Sequence, residues 1–539
     1  MPLTLGDTLT WAARYLPAKE AIVVNVAGQP RQAWTYAQLE AEVNRHARAL
    51  QALEVGAGDV VAALLYNTPT FVFTLLAAAR LGAVFNPIHD QASAAELAFV
   101  LEDGKAKALV FDADRAEVVQ QARALTSNTP HWIYAEAHDA PGAQCATTRL
   151  QSLLRGLSSE PLSVAVREDA ACVLLYTSGT TGRPKGVLHT HRSKLTHNAL
   201  MHQVLQMRRE DVGLSMAPLN HTGELHTSFL PRLQMGATQV LQRRFDAADA
   251  LRLIEAEGVT CLYAAPSMCA QLLHAPELAQ HALASLRVVA YGGAAMAPQL
   301  IRQWYDQVGC DLVQIYGTTE MGPCMSVLYP HEQLIRPGSA GLPVLNHDLV
   351  VAQLHSDGTP SDPAMPCAVG EVGEILVKGP CMMAGYLNRA DANAHALAHG
   401  WYHTGDLGLI DADGYLWIRD RREHLVRTTE GHVYPREVED VLLTHPSVLQ
   451  AAVVGAPDGQ GGQQVEAYVV AIPGASISAA ALQRFVAEQS TLASYQHPRR
   501  YHWVDALPQT SSGKVQKHLL HLTHPTQGDW LAAEPATTA

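Results

Sequence analysis

Four aliphatic hydroxyls, two internal glycines and a lysine crowd into "YTSGTTGRPKG", Tyr176 to Gly186. Hydroxyl donors, backbone N–H groups freed by glycine and an ammonium group together suit a polyphosphate. A Walker loop needs its lysine directly after the second glycine of G-x-x-x-x-G-K-[ST]. Here Gly179 and Gly182 are followed by Arg183, Pro184 and only then Lys185, so that pattern fails. The apolar run Ala170 to Leu175 ahead of it reads as a strand, which puts the loop at a strand end.

Asp406 in "TGD" and Lys514 in a Gly-Lys turn carry no signal by residue type alone. Each alone is ordinary, because "TGD" is a common turn and most lysines are solvated. The 26 histidines include the pair His189/His191 and the pair His395/His399 at helical spacing. Neither pair comes with a third ligand or an H-E-x-x-H, so both read as surface or compositional histidine rather than metal ligands. "APDGQGGQQ" (456–464) imitates a dinucleotide loop but has Gln464 where a third glycine belongs. It reads as a connection between two strands.

These residues need elements to hold them. "DVVAALLY" (59–66) reads as a buried strand, "PTFVFTLLAAARLG" as the helix after it and "AKALVFDA" (106–113) as another strand. "TCLYAAP" (260–266), "LRVVAYGG" (286–293) and "LVQIYG" (312–317) repeat the pattern of a short strand ending at glycine or proline. Such alternation predicts an α/β fold, a large N-terminal domain with stacked, mostly parallel sheets, and ligands gather at the carboxyl ends of such strands. After residue 420 the charged stretch "RDRREHLVRTTEG" precedes a compact segment read as helix 435–444, strands 449–455 and 464–472, and helix 478–489. The division predicted is therefore a domain over 1–420, a hinge at 421–424 and a small mobile α+β lid over 425–524. The tail 525–539 reads as disordered.

The 539 residues carry a formal net charge of -13 and 48% hydrophobic side chains. The acidic balance argues against a nucleic-acid partner. Eight cysteines without a C-x-x-C point to reduced thiols and a cytoplasmic setting. The longest apolar stretch, "FVFTLLAAARLGAVF", is broken by Arg80 and too short for an integral membrane span. Oligomeric state has no signature in the sequence.

Taken in order, eight stretches resemble the adenylate-forming superfamily, in its acyl-CoA synthetase or acid–CoA ligase branch, over roughly residues 10 to 523. They are "YTSGTTGRPKG" (176–186), "PLNHTG" (218–223), "YGGA" (291–294), "QIYGTTEMG" (314–322), "GEILVKGPCMMAGYLN" (373–388), "WYHTGDLG" (401–408), "DRREHLV" (420–426) and "LPQTSSGKVQK" (507–517). The resemblance implies that a carboxylate attacks the α-phosphate of ATP to give acyl-adenylate and pyrophosphate, after which a thiol such as CoA displaces AMP. Thr177, Ser178, Gly179, Thr180, Thr181, Gly182 and Lys185 would then hold the β- and γ-phosphates. Gly292, Gly293 and Ala294 would line adenine opposite Tyr316, followed by Gly317, Thr318 and the α-phosphate contact Thr319. Glu320, with Thr181, would hold Mg²⁺, since a hard cation prefers oxygen ligands. Asp406 would take the ribose hydroxyls and Arg421 would reach the ribose or phosphates. Lys514 would neutralise the carboxylate and α-phosphate during adenylation, and the lid would turn about Glu423 afterwards.

The resemblance speaks less plainly about the acid and the acceptor. Amino-acid-activating relatives carry an aspartate in the stretch matching "PLNHTG"; here His221 stands there, preceded by Asn220. An ammonium would lack its partner, which favours a simple carboxylic acid, whether fatty, aromatic or alicyclic. His221 is either the gate between acid pocket and thiol tunnel or a packed core histidine. Thr222, Gly223, Gly292 and Met321 are the expected pocket wall, the glycines suggesting room for a bulky acyl group. In "RTTEGHVYP" Glu430 replaces a glycine expected along the thiol tunnel and His432 an asparagine, unless a one-residue shift lets Gly431 serve. An amine or a carrier-protein thiol is thus the alternative acceptor. A non-catalytic nucleotide-binding protein is a third reading, against which Glu320, Asp406 and Lys514 together argue.

Overall fold

The computed structural model describes residues 4–136, 146, 148–177, 184–355, 358–459, 462–475, 477–488, 492–508, 515–520 and 529–530. Strand Val60–Leu64, "VVAAL", is buried at every position and is followed by helix Pro69–Arg80, which opens with Thr68 as N-cap and proline at its first turn. A strand apolar on both faces belongs inside a parallel sheet covered by helices. That is its place, between Val84–Pro87 and Ala106–Phe111, both parallel to it.

Two large sheets build most of the chain. One has eight strands, with Ala171–Thr177 parallel to Val84–Pro87 and antiparallel to Lys185–Thr190. The other has nine, and its parallel centre runs through Val212–Ser215, Cys261–Ala264, Val288–Gly292 and Asp311–Tyr316. A single core takes Val61, Phe85 and Val173 from the first, Ile22 and Leu241 from the second, and Leu75 and Leu76 from the helix between. The sheets therefore face one another across shared helices, as the sequence predicts.

A third sheet is absent from the sequence-based division. Asp348–Ala352, Gly373–Lys378, Tyr402–Ile410 and Leu416–Arg421 form an antiparallel four-stranded sheet between the large sheets and the C-terminal segment. Only its last two strands form a hairpin; the others are joined by long connections, one holding the short helix Ala390–Ala396, so no regular strand–helix alternation marks them. Arg421 ends its last strand, and a single 3-10 turn, Arg422–His424, leads out of it with Glu423 exposed. The C-terminal segment folds as helix Pro435–Leu443, strands Val448–Pro457 and Gln463–Ala471, and helix Ala479–Glu488, around its own core of Val438, Leu442, Val453 and Leu482. "APDGQGGQQ" connects the two strands. Asp420 ties the two parts together: its carboxylate accepts the Arg436 N–H at 2.9 Å, at the first turn of that helix, where negative charge complements the helix dipole.

The histidines depart from expectation. His189 and His191 are fully buried rather than on the surface, and His197 and His226 are buried beside them. An apolar helix face pattern does not distinguish histidine from other large residues, so only packing reveals it. His395 and His399 are exposed, and among the described residues no group of three ligands could hold a metal.

Under the same region lies a buried ion pair, Arg232 to Glu224 at 2.9 Å, with Arg232 also donating to Ser215 Oγ at 3.2 Å. Burial lifts the Glu224 carboxyl to about 7, while Arg232 pulls it back down. Arg232→Met strands that carboxyl, and unfolding free energy is expected to fall by about 3–5 kcal/mol. Adding Glu224→Leu in the same chain should recover most of the loss, as read from paired urea titrations. A double variant no more stable than the single would mean that the pair contributes through packing alone.

Candidate active site

Both large sheets and the C-terminal segment contribute to one cleft of about 1460 Å³. It opens at strand carboxyl ends: Thr177, Tyr263, Gly292 and Tyr316 all line it where their strands finish. Gly293, Ala294, Gly317, Thr318, Thr319, Glu320, His221, Thr222, Gly223, Lys185, Asp406, Arg421 and Glu423 line it too. Of the residues predicted for the site, Ser178, Gly179, Thr180, Thr181, Gly182 and Lys514 lie outside the described residues. Val515 and Gln516, next to Lys514 in the chain, line the cleft.

The hydroxyl-rich loop joins two antiparallel strands, with Thr177 paired to Lys185 and Tyr176 to Gly186. A Walker loop opens a helix instead, so the geometry separates the two as the lysine spacing does. The Lys185 ammonium lies 5.1 Å from the centre of the Tyr386 ring, within cation–π range. The Tyr386 hydroxyl in turn donates to Glu320 Oε1 at 2.8 Å. Burial and the neighbouring Glu320 push the Tyr386 phenol well above its ordinary range, so it remains a donor. Tyr386 was not singled out in the sequence, although "GYLN" stands in a stretch that was. Its side chain gains a role only because strand Gly385–Tyr386 pairs with Lys185–Thr190.

Glu320 sits on the 3-10 turn Thr319–Met321, and the backbone of that turn is held from outside the cleft. His189 Nε2 donates to the Thr319 carbonyl at 2.7 Å, Met383 N to that of Glu320 at 2.7 Å, and Lys194 Nζ to that of Gly322 at 3.2 Å. Lys194 is fully buried, and burial brings its ammonium down to about 8. Three successive supports leave the Glu320 side chain to face the cleft with its carboxylate fixed.

A second cluster lies on the third sheet. Asp406 and Arg421 are register partners on adjacent strands, and Arg421 Nε meets Asp406 Oδ1 at 2.7 Å. The Tyr316 hydroxyl donates to Asp406 Oδ2 at 2.5 Å. Asp406 thus holds the Arg421 guanidinium above its ordinary range and, after burial, raises the Tyr316 phenol too. A carboxylate oxygen has two lone pairs, so each oxygen of Asp406 retains a site for a further hydroxyl donor.

Two expectations about the acid pocket need correction. Met321 is fully buried among Val187, Met325 and Ile375 and is not in the cleft wall. The glycines do not open space: a Cβ on Gly292 would stand 2.5 Å from the Ile315 carbonyl oxygen, and one on Gly223 would stand 2.6 Å from the Tyr263 hydroxyl. Close packing, not a roomy pocket, requires them. Along the expected thiol tunnel, a Cβ on Gly431 would meet the Tyr495 ring at 3.3 Å, and Thr429 and Glu430 are both exposed. His221 is half-buried and caps the turn Thr222–Glu224, its Nδ1 accepting the Gly223 N–H at 3.1 Å.

Comparison with known proteins gives relatives along nearly the whole chain. A family profile described as "AMP-binding enzyme" matches residues 9–387, and one for the AMP-binding enzyme C-terminal domain matches 437–514. A feruloyl-CoA synthase from an Amycolatopsis species is 35% identical over 486 residues, 90% of this chain and 93% of the relative. A fatty acid–[acyl-carrier-protein] ligase from Streptomyces coeruleorubidus is 32% identical over 524 residues, 96% of each chain. The solved o-succinylbenzoate CoA synthetase of Bacillus subtilis, in complex with its acyl-adenylate intermediate, superposes with a TM-score of 0.81 at 29% identity over 97% of this chain and 99% of that one.

Proposed function

Because the chain belongs to the AMP-binding enzyme family, we propose that it is an AMP-forming acid–thiol ligase that activates a carboxylic acid with ATP and transfers the acyl group to CoA. The observation that carries this reading is the placement of Lys185–Tyr386–Glu320 and Asp406–Arg421–Tyr316 in one cleft that Val515 and Gln516 also reach.

Attack of a carboxylate on a phosphate sets anion against anion. Screening and alignment therefore contribute more than a general base. Lys185 and the hydroxyls of its loop balance the β- and γ-phosphates that leave as pyrophosphate. Asp406 receives the ribose hydroxyls on its remaining lone pairs, and Arg421 beside it is kept cationic. Lys514, brought in by the C-terminal segment, neutralises the reacting carboxylate and α-phosphate. The fixed Glu320 carboxylate suits a hard divalent cation, so Glu320, with Thr181, would hold Mg²⁺, which supplies charge neutralisation on the phosphates. The domain over 425–524 then turns about Glu423, withdrawing Lys514 and admitting the thiol past His221.

His189 is a positioning residue on this reading. His189→Ala is expected to slow acyl-adenylate formation about tenfold or more by loosening the turn that bears Thr319 and Glu320. Turnover of supplied acyl-adenylate should be unchanged, and His189→Gln, which keeps an N–H donor, should restore much of the rate. Equal losses in both half-reactions would show that His189 supports the fold only.

One observation favours a second acceptor. Glu430 is exposed and Gly431 is covered by Tyr495 where a thiol arm is expected to pass. A carrier-protein thiol, or an amine, is therefore the alternative to CoA. Incubation with ATP, Mg²⁺ and a panel of acids, with and without CoA, separates the two by product mass. AMP release without acyl-CoA for any acid would exclude CoA as acceptor. Among the described residues the cysteines are free and six of the seven are buried, which fits a reducing compartment such as the cytoplasm. No helix of the described residues is long and apolar enough to cross a membrane.

A further inference from the structure

One aromatic side chain stands between the two segments that wall the acid end of the cleft. Tyr263 leaves the end of strand Cys261–Ala264 and is 7% exposed. Its hydroxyl lies 2.6 Å from where a Cβ on Gly223 would be, and 3.8 and 3.9 Å from those positions on Gly292 and Gly293. The ring therefore bridges the 220–223 segment and the 292–293 segment, in the volume that a side chain at position 223 would fill. Glycine at 223 and tyrosine at 263 form one packing unit.

The polar atoms around it are left open. Thr222 Oγ1, Thr227 Oγ1 and Asn220 Oδ1 are buried without a hydrogen-bond partner among the described residues, and all three residues line the cleft. Thr227 is fully buried and Thr222 is 6% exposed. Thr227 lies on the π-helical turn Leu225–Phe229, a local widening that recurs at ligand sites. A buried hydroxyl ordinarily finds a partner, since leaving it unpaired forfeits its hydration. None of these atoms carries charge; of the nearby carboxylates, Glu224 is paired with the Arg232 guanidinium through Oε1, its Oε2 having no hydrogen-bond partner among the described residues, and Asp90 Oδ1 accepts from Asn220 Nδ2 at 3.4 Å. The complement of such a wall is a neutral oxygen rather than a second carboxylate or an ammonium group.

We propose that Tyr263 closes the acid pocket and, with Thr222 and Thr227, selects a short or single-ring carboxylic acid bearing a neutral hydroxyl or carbonyl oxygen over an unbranched fatty acid. This rests on the ligase reading above and narrows its acid.

The test is ATP–pyrophosphate exchange with matched single-ring acids with and without a hydroxyl, and with unbranched acids from short to long. The intact enzyme is expected to prefer the oxygenated member by about tenfold in kcat/KM, the net value of one ordinary hydrogen bond. Tyr263→Phe should lower that ratio several-fold, because only the hydroxyl is lost. Thr227→Val should act in the same direction. Tyr263→Ala should extend the accepted chain length; should it fail to fold, the ratio in Tyr263→Phe decides. A wild-type preference for long unbranched acids, or an unchanged ratio in both Tyr263→Phe and Thr227→Val, overturns the proposal and leaves the ligase reading standing. Silence with every acid overturns the ligase reading and this inference with it.

Discussion

Lys514→Ala is expected to lose acyl-adenylate formation by at least about a hundredfold while consuming supplied acyl-adenylate at close to the normal rate. The magnitude is that of removing one charge aimed at a developing anion in a site sheltered from water. The asymmetry follows from the proposed division of labour, in which the lysine would face the α-phosphate in the first half-reaction and be carried away before the second. Val515 and Gln516 line the cleft, so the chain at this point reaches the site. Lys514→Arg should recover little, because a planar fork does not replace a compact ammonium between two anions. Pyrophosphate exchange and thioester formation from synthetic acyl-adenylate, measured on the same preparation, provide the check. Parallel losses in the two assays would remove Lys514 from its adenylation role.

Acid should unfold the large domain steeply, starting just below pH 6.5. Burial lowers His46 and His191 to about 4 and holds His189, His197 and His226 well below their ordinary value, with Lys194 adding repulsion in the last three. Their folded pKa values lie beneath the unfolded value of about 6.5, so between the two the unfolded chain binds the extra proton. Their contribution is therefore complete above pH 6.5 and is lost as pH falls, at up to about 1.4 kcal/mol per pH unit for each histidine. Asp112 and Glu224 in the same domain are raised by burial and run the other way, so the net slope is smaller than five histidines alone would give. Urea midpoints at pH 7.5, 6.5 and 5.5 measure it. A midpoint that holds steady across this range would mean that these histidines titrate normally and are wetter than the packing indicates.

Much of the architecture was legible because its signals are local. A strand such as "VVAAL" and a proline-led, threonine-capped helix identify themselves within a dozen residues. The helix and strands of the C-terminal segment fall within a residue or two of their predicted bounds. The third sheet escaped because two of its three antiparallel pairings span long connections, one of them holding the short helix Ala390–Ala396 and a strand that pairs in another sheet. Tyr386 escaped for a related reason: its partners Lys185 and Glu320 lie some 200 and 66 positions away in the chain.

The order of eight short stretches, with their hydroxyls, glycines and charges, by itself determined the reaction class, and their resemblance to the family proposed the phosphate and ribose contacts. Tertiary structure alone decided what the acid would meet. Gly223 reads in the sequence as a missing side chain and therefore as space, but Tyr263 occupies that space from a strand 40 residues away. Met321 reads as pocket wall and is core; His189 reads as surface and holds the turn that carries Glu320. Volume and burial are sums over neighbours distant in the chain, so a residue's type fixes what it can do, while packing decides where it can act.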